Sequence, residues 1–145
     1  MVTGARKGEA LVAGWSQFDL ERGVWSKPSH STKQKRIEHV PLNDQAIAFL
    51  KSMSRDGESL FPGRVGEHLT DLKYPWAAIC KDAQLERVRI HDLRHTYASH
   101  LVSRGASLPM VGKLLGHTQA QTTARYAHLA DNPVREAANL FPSVL

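Results

Sequence analysis

Every strand signal in this sequence lies between residues 10 and 42, and the remainder of the chain reads as helix. That division points to an α+β fold, mainly helical, with a small three-stranded antiparallel sheet. Trp15, Phe18 and Leu20 precede a polar turn at Glu21-Arg22-Gly23, and Val24 and Trp25 come after it. A second polar turn, Ser31-Thr32-Lys33-Gln34-Lys35, leads into Ile37, Val40 and Leu42. Three short apolar runs joined by two turns describe a meander whose second turn carries Lys33 toward solvent or a ligand. Asn43 is placed to cap a helix from about Asp44 to Arg55, stopped by Asp56-Gly57. Further helices are expected from Leu69 to Ala83, Ile90 to Arg104, Ser107 to Leu115, Thr118 to near Asp131, and about Val134 to Leu140. Leu93, Tyr97 and Leu101 share one face of the helix from Ile90, and Gly105 and Gly116 are stops. Thr118 and Gln121 form a capping box.

The chain has 145 residues, read as a single domain over 1–145 with a modest core. No apolar run approaches the roughly 20 residues that span a bilayer, so no membrane role is expected. Cys80 is the one cysteine, which excludes an intrachain disulfide and suits a reducing, cytoplasmic setting. The formal charge of +5 is the footprint of a polyphosphate partner, though weak by itself.

Four short motifs carry the chemistry. Thr3-Gly4-Ala5-Arg6-Lys7-Gly8-Glu9 opens the chain, and His91-Asp92-Leu93-Arg94-His95 opens a helix. Leu114-Leu115-Gly116-His117 ends another, and Tyr126 comes after it within Thr122-Thr123-Ala124-Arg125-Tyr126. Together with the Thr32-Lys33 hairpin and Val40-Pro41-Leu42, this ordered set resembles the tyrosine recombinase, or phage integrase, family over nearly the whole chain. The resemblance implies that family's catalytic-domain fold, double-stranded DNA as partner, and DNA cleavage and rejoining by transesterification. Tyr126 would attack the scissile phosphate, form a 3′-phosphotyrosyl link and release a 5′-hydroxyl. A 5′-hydroxyl from a partner strand would reverse the step.

The residue types suit this chemistry without the family name. Attack on phosphorus concentrates negative charge on the non-bridging oxygens, and two guanidiniums can clamp them; Arg6 and Arg94 are the candidates. A tyrosine hydroxyl titrates near 10, so it must lose its proton during attack. His91 lies one helical turn before Arg94 and could accept that proton or orient the phosphate. His117 could donate a hydrogen bond to a phosphate oxygen. The leaving 5′ oxygen needs a proton, which a flexible ammonium can deliver. The resemblance assigns that role to Lys33, with Lys35 as substitute, and gives Glu9 the part of the acidic residue that orients the active-site cations. The bond energy is kept in the covalent link, so no cofactor and no metal is implied. The sequence has neither a Gly-x4-Gly-Lys-Ser/Thr loop nor an obvious carboxylate cluster.

Each residue also has a plainer reading. Taken alone, Arg6 and Glu9 are an ordinary exposed pair, and Tyr126 is a helix-surface tyrosine. Tyr97 falls on an apolar stripe and reads as core, and Tyr74 has no basic neighbours in sequence. His91 and His95 have the spacing of zinc ligands, but an arginine between them would repel the metal. His95 then makes structural hydrogen bonds, and His100 and His128 have no assigned role. Lys27, Arg64, Arg87 and Arg89 are either DNA-backbone contacts or solvated surface.

Arg6 comes sixth in the chain, ahead of which the family usually places helices and a DNA-binding domain. On that comparison the chain looks like a fragment, with two expected consequences: a poorly positioned Arg6 and weakened DNA affinity. The Val134–Leu140 segment parallels a family helix that packs on a neighbouring protomer, which implies self-association on DNA. The rival functions are an inactive DNA-binding recombinase fragment and a type IB topoisomerase-like strand transferase.

Overall fold

The computed structural model describes residues 3–29, 36–63 and 68–130. Lys33, Lys35, Arg64 and the Val134–Leu140 segment lie outside the described residues. The chain divides into two compact units, Met1–Tyr97 and Ala98–Leu145.

The first unit is built around the expected meander. Strands β1 (Phe18–Asp19), β2 (Val24–Lys27) and β3 (Glu38–Pro41) form an antiparallel sheet in the order β1-β2-β3. The register pairs Phe18 with Trp25, Trp25 with Val40, and Lys27 with Glu38. Strand side chains alternate between faces, so Trp25 and Lys27 share one face of β2, and both are buried. Phe18 and Trp25 stack with ring centroids 5.2 Å apart. Trp25 joins Ala13, Val40, Leu42, Ala46, Leu50 and Leu60 in the core, with Trp15 and Phe18 packed against it. Helix α2 (Asp44–Ser52) supplies Ala46 and Leu50 from its inner face. Asn43 caps it as expected, its side-chain oxygen accepting from the Ala46 amide at 2.8 Å. The helix ends at Ser52 rather than Arg55, because Met53 turns to an extended conformation.

Two elements of this unit differ from the sequence reading. A short helix, α1 (Lys7–Leu11), stands where no helix was expected. It begins with a reciprocal box in which the Glu9 carboxylate accepts from the Arg6 amide. Helix α3 runs Lys73–Asp82 instead of from Leu69. Pro75 falls in its first turn, the one part of a helix where a missing N–H and a fixed φ do no harm. Trp76 of α3 anchors the next segment by donating to the Val88 carbonyl at 2.9 Å.

Helix α4 (Ile90–Ser103) gives its first two turns to the first unit and the rest to the second. The second unit continues with α5 (Leu108–Leu115) and α6 (Ala120–Ala124), and then a 3₁₀ turn at Ala127–Leu129. Its buried residues, among those described, include Ala98, Val102, Val111, Gly112, Leu115, Thr123 and Tyr126. Ser107 precedes α5 as expected, but its side chain makes no capping bond. The expected capping box at Thr118 and Gln121 is absent: the cap position is Gln119, and α6 is far shorter than a helix reaching Asp131. Consecutive β-branched residues, Thr122 and Thr123, are weak helix formers, and the Thr123 hydroxyl is engaged elsewhere. Among the described residues no helix is long and apolar enough to cross a membrane.

Candidate active site

In the first unit, Arg6 is not loose. Its side chain and its amide both bind Glu9, at the start of α1. The expectation of a poorly held Arg6 is therefore corrected: a carboxylate one turn along supplies the buttress. Glu9 is buried rather than exposed, at 7 %. Its second partner is Lys27, which donates to Glu9 Oε2 at 2.7 Å. Lys27 is 2 % exposed, so neither the DNA-contact nor the solvated-surface reading holds for it. Its ammonium also sits 4.7 Å from the centre of the Trp25 ring. Glu38 Oε2, buried and without a hydrogen bond among the described residues, lies 3.9 Å from the same ammonium.

This cluster is electrostatically directional. Burial pushes the Glu9 carboxyl up, but hydrogen bonds from Lys27 and Arg6 outweigh it and hold the group below its ordinary value. Glu9 therefore stays ionised and keeps a fixed grip on Arg6. What sequence reasoning missed is the burial of Lys27 against Glu9. The signal was present: if Trp25 faces the core, period-two alternation sends Lys27 the same way.

Arg94 comes from the first turns of α4 and is 5 % exposed. Its Nη1 donates to the Gly4 carbonyl at 2.8 Å, tying the helix to the segment that leads into Arg6. The start of α4 is set by Asp92, whose carboxylate accepts from the Arg89 amide at 2.9 Å and from the Arg89 guanidinium at 2.8 Å. Those bonds hold the Asp92 carboxyl down at about 2. His91 is exposed, and its ring meets His95 edge to face at 5.0 Å. Among the described residues no three His, Cys, Asp or Glu side chains gather as a metal site. An open cleft of about 540 Å³ is lined by Lys7, Lys73, Arg89, His91 and Arg94, with Asp71 as its one acid. A concave wall of that charge attracts polyanions.

In the second unit, Gly116 ends α5 in the left-handed conformation, at φ 63°. That reversal lets the His117 amide return to the Gly112 carbonyl at 2.9 Å, which pins His117 just past the helix end. The His117 Nδ1 is 2.9 Å from Thr123 Oγ1. Tyr126 comes just after α6, its amide bonded to the Thr123 carbonyl at 3.0 Å. Its side chain is packed away, the residue being 6 % exposed. Tyr97 is half-buried, and burial pushes its phenol up, which disfavours it as a nucleophile. Tyr74 is 83 % exposed.

The chain is 31% identical to the integrase of Salmonella phage P22 over 98% of its own length and 40% of that protein's. It is also 31% identical to the tyrosine recombinase XerD of Pseudomonas putida, over 88% of this chain and 46% of the relative. It thus spans less than half the length of these relatives. Among solved structures, the catalytic domain of bacteriophage HP1 integrase superposes with a TM-score of 0.71 at 28% identity, covering 97% of this chain and 77% of that one. XerH recombinase bound to its difH substrate before cleavage gives a TM-score of 0.71 at 28% identity, over 98% of this chain and 43% of that one. The sequence model of the phage integrase family matches residues 1–133, and the chain belongs to that family.

Proposed function

We propose that this chain is the catalytic part of a site-specific DNA recombinase that cuts and rejoins duplex DNA through Tyr126. The observation that carries this reading is the arginine arrangement: Arg6 fixed by a buried, ionised Glu9, and Arg94 tied to the carbonyl of Gly4, two residues before Arg6. Two preorganised guanidiniums are what a phosphorane-like transition state needs, because they lose no orientation energy as charge develops. Family membership supports the same assignment.

In this mechanism the Tyr126 oxygen attacks the scissile phosphorus, forming the P–O(Tyr) bond as the P–O5′ bond breaks. The phenolic proton passes to His91, and the departing O5′ takes a proton from Lys33. Arg6, Arg94 and His117 hold the non-bridging oxygens. Attack by the 5′-hydroxyl of another strand then releases Tyr126. Both units belong to one catalytic domain on this reading. Self-association through the segment after Pro133 is part of the proposal.

The burial of Tyr126 favours a second reading, a DNA-binding chain that does not cut, because a packed ring is a poorer nucleophile than an exposed one. Covalent trapping separates the two. The protein is mixed with nicked and supercoiled DNA in chelator and stopped with detergent. A covalent adduct that disappears in Tyr126→Phe is the expected result. Retarded DNA without any adduct would leave only the binding reading.

A further inference from the structure

Three observations in the second unit concern one hydroxyl. Thr123 is buried, at 2 % exposure, although it lies on the short helix α6 beside exposed Ala124. Its Oγ1 is 2.9 Å from His117 Nδ1, and among the described residues that nitrogen is the hydroxyl's one hydrogen-bond partner. The space it fills exists because residue 112 is glycine: a Cβ at Gly112 would stand 2.9 Å from the same oxygen. The chain thus leaves out a side chain on α5 where Thr123 approaches.

The distance admits two proton arrangements. If Nδ1 carried the proton, Thr123 would accept it, and the hydroxyl hydrogen would be buried without an acceptor. If Nδ1 is bare, the hydroxyl donates to it and only a lone pair is left unused. A buried donor without a partner is the costlier state, so the second arrangement is preferred. A neutral imidazole has one N–H, which then resides on Nε2.

We infer that Thr123 is a positioning residue that fixes His117 as the Nε2–H tautomer, the form that supplies one N–H donor to a non-bridging phosphate oxygen. The inference rests on the recombinase reading for the phosphate, but not for the tautomer. The companion bond from the His117 amide to the Gly112 carbonyl fixes the backbone of the same residue. Backbone and ring of His117 are therefore both referred to α5, at Gly112 directly and through Thr123.

The test is nitrogen-15 NMR of the imidazoles in the whole chain, with the His117 signals identified by their loss in His117→Gln. Wild type should show a bare, pyridine-like Nδ1 and a protonated Nε2. Thr123→Ser keeps the hydroxyl and should keep that pattern. Thr123→Val keeps the volume, removes the hydroxyl and should give a mixture of tautomers. In the trapping assay Thr123→Ser should retain the adduct. Thr123→Val should lower its rate about tenfold, less than the 10²–10³ lost when a transition-state donor is removed outright. A wild-type spectrum with the proton on Nδ1 overturns the inference, and needs no variant to fold. So does a Thr123→Val spectrum with unchanged His117 signals. The expected spectra without an adduct from any variant would sink the recombinase reading and leave the tautomer assignment standing.

Discussion

Lys27 shows how one residue's surroundings override its type. Lysine is almost never fully buried unless paired, and here it is paired with Glu9 at 2.7 Å and covers an indole ring. Removing Lys27 takes away the buried cation and leaves Glu9 with the partly exposed Arg6. Lys27→Met is therefore expected to cost about 3 kcal/mol in urea unfolding, the lower end for a broken buried pair. Lys51→Met, which breaks a pair with a Glu21 side chain that is 91% exposed, should cost less than about 1 kcal/mol. Equal losses would mean that the Lys27 pair contributes nothing special. The pH dependence has a definite sign. Glu9 titrates lower in the folded chain than its ordinary 4.5, so its contribution is full above that value and fades as pH falls through the lowered one. Glu9→Gln should flatten the acid limb of a stability–pH curve, and an unchanged limb would put the acid sensitivity elsewhere. Arg6, Arg94, His117 and Tyr126 are proposed from an ordered set of short local motifs and the family they resemble. For Lys27, alternation from Trp25 announces the inward direction, but not the partner, which lies 18 residues away.

At the scale of elements, the sheet and α2, α4 and α5 were legible, since each announces itself by alternation, a cap or a glycine stop. The misread elements depend on tertiary contacts. Helix α1 is started by an arginine and a glutamate rather than a serine or threonine cap. Helix α6 is cut short, and its Thr123 is turned toward α5 instead of being left to a regular amphipathic stripe. That packing makes a prediction. Gly112→Ala should cost about 1–3 kcal/mol by overpacking against Thr123 Oγ1. Combined with Thr123→Ala, which removes that oxygen, the two losses should be less than additive in denaturation experiments. Strict additivity would show that α5 and α6 do not constrain each other there. The start of α4 carries a second prediction. With Asp92 held down at about 2, amide protection in the turn bearing His91 and Arg94 should persist in moderate acid and fail only as pH approaches that value. Hydrogen exchange in Asp92→Ala should show modestly faster exchange in that turn already at neutral pH, and unchanged exchange would remove Asp92 as its anchor.

For the whole molecule, sequence order alone distributes the candidate residues over both units: Arg6, Glu9, His91 and Arg94 before residue 97, His117 and Tyr126 after it. No local pattern announces such a division, because it reflects where contacts are dense rather than what any segment prefers. The net charge of +5 is legible at once, but the gathering of Lys7, Lys73, Arg89 and Arg94 on one cleft, two of them paired with Asp71 and Asp92, is not. On the proposed function, binding to duplex DNA should weaken as salt rises. Lys73→Gln should lower the slope of log affinity against log salt by about 1, and the distant charge change Lys51→Gln should leave it unaltered. Equal slopes for both would remove the cleft from the DNA-binding surface.

The shared carboxylate of Glu9 also limits how this sequence can drift. Losing Glu9 first leaves the buried ammonium with the more distant Glu38, and losing Lys27 first leaves Glu9 with Arg6 and Glu38 without its nearby cation. Either single step weakens the cluster that holds Arg6. Change at position 9 is therefore coupled to change at position 27.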